Sequence, residues 1–211
     1  MKYTPIFSFI GSSGSGKTTF LEKLIPILKN KGLSLGVIKH DAHQFEIDKP
    51  GKDSYRFKSA GADIVAISSS EKMAIVKSFT KKEETLEEIV LNYFKDVDMI
   101  LTEGYKKSSI PKIEIFRQEV KKPFISADKL ELIGVITDSK ECPRKDVKKF
   151  NLDCYNEVAE YLIDISIFDL PEIEVINIED NLLKNSLSQL FGSYRFLKRF
   201  HKVKITVEIE E

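Results

Sequence analysis

The sequence has 211 residues, its 33 Lys and Arg balance its 33 Asp and Glu, and 42% of its residues are hydrophobic. This length predicts one domain with a sizeable core, and the balanced charge gives no bulk electrostatic case for nucleic acid or an anionic membrane. No apolar run approaches the roughly 20 residues that span a bilayer, the first residues lack a signal-peptide pattern, and two cysteines make no disulfide framework. We therefore expect a cytoplasmic protein that binds neither nucleic acid nor membrane.

Strand-like apolar runs alternate with amphipathic segments along the chain. In order, the strand-like runs are residues 6–10, 33–38, 62–68, 73–79, 97–101, 112–116 and 132–136. Helical spacing occurs at residues 20–28, 83–94 and 156–163. Strands that alternate with helices predict an α/β domain with a mostly parallel sheet. The two runs at 62–68 and 73–79 flank a polar turn and predict an additional antiparallel hairpin.

The first chemical motif lies between the first strand and the first helix and reads GSSGSGKTT, residues 11–19. It contains GxxxxGK[ST], the phosphate-binding P-loop, in which glycines let backbone N–H groups and a helix N-terminus face phosphates. Lys17 would bridge the β- and γ-phosphates, and Thr18 would ligate Mg²⁺. A chance Gly/Ser turn of this form is expected in about one chain in a hundred. The motif predicts a P-loop NTPase-type three-layer fold whose nucleotide-binding residues are Gly11, Ser12, Ser13, Gly14, Ser15, Gly16, Lys17, Thr18 and Thr19.

A second motif, Asp98-Met-Ile-Leu-Thr-Glu103-Gly104, follows the helical segment at 83–94. In P-loop folds an acid at the carboxyl end of a neighbouring strand reaches Mg²⁺ or its water. Glu103 has this position. Asp98 precedes the apolar run and would lie at the opposite end of the strand, so we assign it no chemical role. A loop carboxylate in water fits the residues alone equally well, so Glu103 is a candidate metal ligand and catalytic residue with that alternative open.

Residues 38–57, IKHDAHQFEIDKPGKDSYRF, form a polar tract directly after the second predicted strand. Three interpretations are open. The first is a transition-metal site at His40 and His43, although a His-x-x-His pair without further ligands is a weak signal. The second is a solvated loop, which is the usual fate of a charged tract.

The third interpretation is a loop that faces a nucleotide. In it Lys39, Lys52 and Arg56 contact phosphates, and Asp48 lies near Mg²⁺. The tract begins at the carboxyl end of a strand, which is the edge where Lys17 should also lie, so its position favours a site. Composition does not choose among the three.

Several motifs occur in a fixed order along the chain. They are GSSGSGKTT at 11–19, GVIKHDAH at 36–43, DKPGKDSYR at 48–56, AGAD at 60–63, LTEGYK at 101–106 and PKIEIFR at 111–117. In this order they resemble the molybdopterin-guanine dinucleotide biosynthesis adaptor family, called MobB. The resemblance covers roughly residues 5–165, and its second and third motifs are far more specific than a P-loop.

The resemblance implies a homodimeric GTP-binding protein that uses Mg²⁺ and assists a separate guanylyltransferase in attaching GMP to molybdopterin. It implies that the polar tract is the family's signature loop over the nucleotide site, without giving each residue a role. The residues of the tract that match the family's pattern are Lys39, His40, His43, Asp48, Gly51, Lys52, Asp53, Ser54 and Arg56. The P-loop motif, the strand-end position of Glu103 and the third interpretation of the polar tract supply the roles: we expect Lys17, Asp48 and Glu103 to be catalytic, and Thr18, Asp48 and Glu103 to hold the metal.

Guanine specificity is implied by the resemblance alone. The [NT]KxD signature of many GTPases does not follow any predicted strand, and Asp138, after the strand at 132–136, could contact guanine or stabilise a turn. The alternative function is a P-loop small-molecule kinase that transfers a γ-phosphate. Such a kinase usually has an Arg-rich lid, and no such segment follows the helical region near Tyr93.

The chain continues past the nucleotide-binding part, and we predict a boundary between residues 1–168 and a C-terminal extension at 169–211. The extension contains an amphipathic segment at 181–191, a basic aromatic segment at 194–201 and an alternating end at 204–210. We expect a small helix–strand appendage packed on the core. A contact of the basic segment with a pterin or a partner protein is the alternative.

Overall fold

The computed structural model describes residues 4–40, 49–79, 83–126, 130–142, 144–167, 172–176 and 202–206, and for the last two ranges only the backbone. The described chain forms two compact units, residues up to His40 together with those from Phe94 onwards, and the residues between them. The strands of the first unit are β1 Ile6–Ile10, β2 Leu35–Lys39, β5 Met99–Glu103, β6 Lys112–Phe116, β7 Leu132–Thr137, β8 Lys148–Phe150, β9 Glu172–Ile176 and β10 Lys202–Thr206. Its helices are α1 Lys17–Asn30 and α4 Tyr155–Ile167. The second unit contains α2 Asp53–Ser59, β3 Ile64–Ser68, β4 Met73–Lys77 and α3 Leu86–Tyr93.

A six-stranded parallel sheet organises the first unit, with strand order β2-β5-β1-β6-β7-β8. The central strand β1 pairs with β5 on one side, where Phe9 lies opposite Glu103, and with β6 on the other, where Phe9 lies opposite Ile113. Because the strands are parallel, the residues that follow them collect at one edge of the sheet. The predicted α/β fold with a mostly parallel sheet is confirmed.

The core of the first unit lies between one face of this sheet and the helices α1 and α4. In α1 the buried residues are Phe20, Leu21, Leu24 and Leu28, the spacing of a helix with one apolar stripe. The helix ends at Asn30, and its C-cap Lys31 is followed by Gly32 with φ 86°, a common helix stop. The remaining members of the core cluster are Phe7, Phe9, Met99, Leu101, Ile113, Ile115, Ile133, Ile136, Phe150, Val158, Ala159 and Leu162.

Residues 112–116 alternate polar and apolar side chains, a pattern typical of a strand with one face in water, but in β6 both faces are buried. Its polar residues Lys112 and Glu114 are buried, with exposures of 0% and 1%. The Lys112 ammonium donates to the carbonyl oxygens of Ser108 and Ile110, and the Glu114 carboxylate accepts from the backbone N–H and the hydroxyl of Ser126. A buried charge is stable only when it is paired or hydrogen-bonded, and these contacts meet that requirement. These hydrogen bonds also connect β6 to the loop before it, at Ser108 and Ile110, and to the loop after it, at Ser126.

In the second unit β3 and β4 form an antiparallel pair, with Val65 opposite Val76, as predicted. The helix α3 begins with a reciprocal cap, since the Thr85 N–H donates to the Glu88 carboxylate at 2.6 Å and the Glu88 N–H donates to the Thr85 hydroxyl at 3.2 Å. The helix α2 was not expected, because residues 53–57 were assigned to the polar tract as a loop. The helix is only seven residues long and has a single buried residue, Ser54, so it carries no apolar stripe.

The C-terminal extension contributes a parallel pair of strands, in which Glu172 lies opposite Lys202. The predicted amphipathic segment at 181–191 and the basic aromatic segment at 194–201 lie outside the described residues. The boundary predicted after residue 168 also falls there and stays a prediction. None of the described helices combines the length and apolarity that crossing a bilayer requires.

Candidate nucleotide-binding site

The loop from Gly11 to Thr18 joins β1 to α1 at the carboxyl edge of the sheet. Its close passage along β6 requires glycine at position 11, because a Cβ there would overlap the carbonyl oxygen of Ile115. Gly16 caps the helix with φ 86°, a left-handed conformation that glycine adopts without strain. The loop therefore has the tight curvature that its sequence predicts.

The Lys17 side chain folds back over this loop. Its Nζ donates to the carbonyl oxygen of Ser12 at 2.9 Å and to that of Gly11 at 3.2 Å. These carbonyls hold the ammonium above the concave side of the backbone. A phosphate oxygen in the loop would be a stronger acceptor for the same ammonium, because charge-assisted hydrogen bonds are about twice as strong as neutral ones.

Burial and neighbouring charges together lower the pKa of Lys17. Burial has the largest effect and lowers the pKa of the ammonium, the Glu103 carboxylate opposes this by raising the pKa, and Lys106, Lys39 and Lys122 lower it further. Three cations and one carboxylate thus act on the Lys17 ammonium. A bound anion would offset the effect of the three cations, which suits a polyphosphate site.

Thr18 and Glu103 meet beside the loop, at the end of the neighbouring strand β5. The Thr18 hydroxyl donates to Glu103 Oε2 at 2.8 Å, and the Lys39 ammonium lies 3.9 Å from Oε1 of the same carboxylate. Two oxygen ligands at right angles on Mg²⁺, each about 2.1 Å from the ion, lie about 3.0 Å apart. The observed oxygen–oxygen distance fits a shared Mg²⁺, so these two residues are suited to hold it.

The first residues of the polar tract lie at this same edge. The His40 N–H donates to the backbone carbonyl of Glu103 at 2.9 Å, and its ring lies 4.7 Å from the ring of Tyr105. Within the described ranges there is no group of three or more His, Cys, Asp or Glu that could hold a metal ion, so nothing there favours the transition-metal interpretation. His43 and Asp48 lie outside the described residues, and their assignments stay predictions.

Lys52 and Arg56 belong to the second unit, where Lys52 precedes α2 and Arg56 lies inside it. The Arg56 guanidinium is largely exposed and lies 3.4 Å from the exposed carboxylate of Asp53, a pair that contributes little stability. The phosphate contacts assigned to Lys52 and Arg56 are untested and stay predictions.

On the opposite flank of the loop the turn after β6 is fastened to the end of β7. Asp138 Oδ1 accepts from the Gln118 N–H at 3.0 Å, and Gln118 Nε2 donates to the Ser139 hydroxyl at 3.2 Å. Two roles were considered for Asp138, a contact with guanine and the stabilisation of a turn. The observed hydrogen bond stabilises the turn at Gln118.

The same turn carries Arg117, a residue that the sequence interpretation did not select. Its guanidinium lies against the glycine loop, since a Cβ built on Gly16 would be 3.7 Å from Arg117 Nε. The sequence could have indicated Arg117 as a site residue, because it directly follows the strand at 112–116 and the carboxyl ends of parallel strands meet at one edge of the sheet. The same argument selected Glu103 but was not applied to this strand.

The parallel sheet, the glycine loop before α1 and the residues at its edge define a P-loop NTPase-type fold. The family model described as "MobB: Molybdopterin guanine dinucleotide synthesis protein B" matches residues 6–138, and the chain belongs to this family. It is 42% identical over 129 residues to the molybdopterin-guanine dinucleotide biosynthesis adapter protein of Haemophilus influenzae, covering 61% of this chain and 72% of that protein. It is 43% identical over 116 residues to the Escherichia coli protein of the same name, covering 54% and 66%. The crystal structure of Bacillus subtilis MobB is similar with a TM-score of 0.62 and 27% identity, covering 76% of this chain and 96% of that one.

Proposed function

We propose that this protein is a GTP-binding adaptor that requires Mg²⁺ and assists a guanylyltransferase in attaching GMP to molybdopterin. The observation that carries the nucleotide part is the Thr18–Glu103 contact of 2.8 Å directly beside the Gly11–Thr18 loop. It brings a metal-binding pair of oxygens next to a phosphate-binding backbone. The adaptor part rests on membership of the family and on the names of the two bacterial relatives.

Each part of the proposed site has a separate task. Backbone N–H groups of the loop and the α1 N-terminus bind the phosphates, and Lys17 exchanges its two carbonyl acceptors for phosphate oxygens. Thr18 and Glu103 hold Mg²⁺, which when bound neutralises charge between two phosphate groups. Asp48 is proposed as a further metal ligand, and Lys39, His40, Lys52 and Arg56 as further nucleotide contacts.

The proposed partners follow from the same family membership. They are a molybdenum cofactor guanylyltransferase and molybdopterin itself. A cytoplasmic location is proposed because both cysteines, Cys142 and Cys154, are free, as expected in a reducing compartment.

We predict that the protein binds GTP more tightly than ATP and that removing Mg²⁺ weakens GTP binding. The metal dependence follows from the Thr18–Glu103 pair, because without Mg²⁺ the Glu103 carboxylate would repel the phosphates. Titration calorimetry with GTP and ATP, each with Mg²⁺ and with a chelator, measures both effects. Glu103→Gln should lose most of the metal dependence while still binding nucleotide through the loop. Equal affinity for GTP and ATP would contradict the proposed preference for guanine. If the protein bound neither nucleotide, the proposed function would be wrong.

We also predict a homodimer in which the β3–β4 hairpin takes part. Its side chains Ile64, Ile67 and Met73 are 56%, 53% and 65% exposed in the isolated chain, and its unpaired strand edges can be satisfied by a second copy. Multi-angle light scattering at micromolar concentration, with nucleotide present, should give twice the mass of one chain. Ile67→Asp should shift the mass towards the monomer, whereas Leu91→Asp on α3 serves as the matched control. A wild-type monomer would contradict the prediction.

A further inference from the structure

We infer that Arg117 is a nucleotide-binding residue of this site and that it contacts the α- and β-phosphates rather than the γ-phosphate. The inference rests on the proposed nucleotide binding and gives a role to Arg117, the last residue of the PKIEIFR motif, to which the resemblance assigns none. Three observations carry it: the contact of Arg117 with the loop, the unused hydrogen-bonding groups there, and the side of the loop on which it lies.

The guanidinium of Arg117 reaches the point where the loop becomes a helix. A Cβ built on Gly16 would lie 3.7 Å from Nε and 3.9 Å from Cζ, which is ordinary van der Waals contact, so the guanidinium lies next to the loop with room for a methyl group between them. Arginine at this place presents a fork of donors that matches phosphate oxygens.

Two polar groups on this flank are buried without a partner. Within the described residues neither Arg117 Nε nor the Ser15 hydroxyl has a hydrogen-bond partner, although both atoms are shielded from solvent. The Ser15 side chain is 1% exposed, and its Oγ would lie 2.6 Å from a Cβ on Gly11, so it points across the loop. Buried donors without partners are costly and rare in folded proteins, so both groups require an acceptor that the described residues do not supply.

The side of the loop assigns the phosphates. The metal-binding pair Thr18 and Glu103 and the cation Lys39 lie on the β5 flank, and a metal held there bridges the β- and γ-phosphates. Arg117 follows β6, on the other side of β1, and lies next to Gly16, in the loop whose backbone would cradle the α- and β-phosphates. The two flanks therefore divide the phosphate chain between them.

The surroundings of Arg117 hold it ready for this contact. Its NH1 group is 2.7 Å from the Glu119 carboxylate, which is 67% exposed and can release it at little cost. The backbone of the next residue, Gln118, is fixed by the Asp138 carboxylate at 3.0 Å. The Asp138 contact thus positions the turn and Glu119 orients the guanidinium.

The test is a set of calorimetric titrations with a non-hydrolysable GTP analogue and with GDP, both with Mg²⁺. Arg117→Gln should weaken both nucleotides equally, by about tenfold, which is the loss expected for one charge-assisted contact. Arg117→Lys, which keeps the charge but not the fork, should give an intermediate loss. Lys29→Gln makes the same charge change on an exposed residue about 20 Å away along α1 and should bind like the wild type.

The outcomes separate this inference from the proposed function. Wild-type binding that Lys17→Ala weakens and Arg117→Gln leaves unchanged would overturn the inference and leave the proposed function standing. A loss confined to the GTP analogue, with GDP unaffected, would move Arg117 to the γ-phosphate and overturn the assignment to the α- and β-phosphates. If the wild type binds neither nucleotide, the proposed function fails, and the role of Arg117 fails with it.

Discussion

Alanine in place of Lys17 should weaken GTP binding by about tenfold or more, because the variant loses a charge-assisted contact worth ~1.5–3 kcal/mol. The ammonium lies over the loop, 2.9 Å from the Ser12 carbonyl oxygen. Without a bound phosphate, its hydrogen-bond acceptors in the loop are neutral carbonyls. The effect should be larger for GTP than for GDP, because the lysine of a P-loop reaches both the β- and γ-phosphates.

Calorimetry on the wild type and on Lys17→Ala measures this loss. Lys29→Ala is the matched control, since it removes one exposed positive charge from the same helix at its far end. Circular dichroism should give the same spectrum for all three proteins, because Lys17 is not part of the core cluster. Unchanged GTP affinity in Lys17→Ala would exclude the Gly11–Thr18 loop as the phosphate site.

The parts of the fold that the sequence predicts are those where burial controls the choice of residues. The strand β1 has the predicted bounds, Ile6–Ile10, because its run is apolar and four of its five residues are buried. The meeting of Thr18 and Glu103 also follows from the sequence. A parallel sheet brings the residues after each strand to one edge, and the two segments have the strand–loop pattern that this argument needs.

Features stabilised by polar contacts were not predicted. The helix α2 is short and charged, so it shows no apolar period, and β8 has only three residues with Phe150 as the single buried one. Burial of Lys112 and Glu114 depends on the loops that supply their hydrogen-bond partners, which a pattern of alternating residues does not reveal. In the sequence such a strand is indistinguishable from one that faces water on one side.

The position of Arg117 beside the loop was also not predicted from the sequence. No local pattern joins an arginine after β6 to a glycine about a hundred residues earlier, and the two meet only because β1 and β6 are neighbours in the sheet. The argument that selected Glu103 from the sequence also places Arg117 at this edge of the sheet, but the strand order is needed to show that Arg117 lies beside Gly16.

By itself the protein should hydrolyse GTP slowly, well below the ~1–100 s⁻¹ of ordinary kinases. Rapid hydrolysis requires a group that orients water and an additional positive charge on the transition state, and an arginine supplied from outside is worth roughly 10³–10⁵ in rate. The Gly11–Thr18 loop contains neither Arg nor Gln. Arg117 lies on the flank away from the Thr18–Glu103 pair, and the assignment of Arg56 to the site stays a prediction.

Steady-state phosphate release from GTP measures this turnover, first with the protein alone and then with the guanylyltransferase and molybdopterin added. Lys17→Ala should abolish the slow reaction, and Glu103→Ala and Asp48→Ala should reduce it by weakening the hold on Mg²⁺. Lys29→Ala should leave it unchanged. Acceleration by the added partner would support an adaptor that is completed by its partner. Fast turnover without it, or rapid transfer of the γ-phosphate to a small-molecule acceptor, would contradict the adaptor and favour the kinase alternative, because a kinase has to complete its own catalytic site.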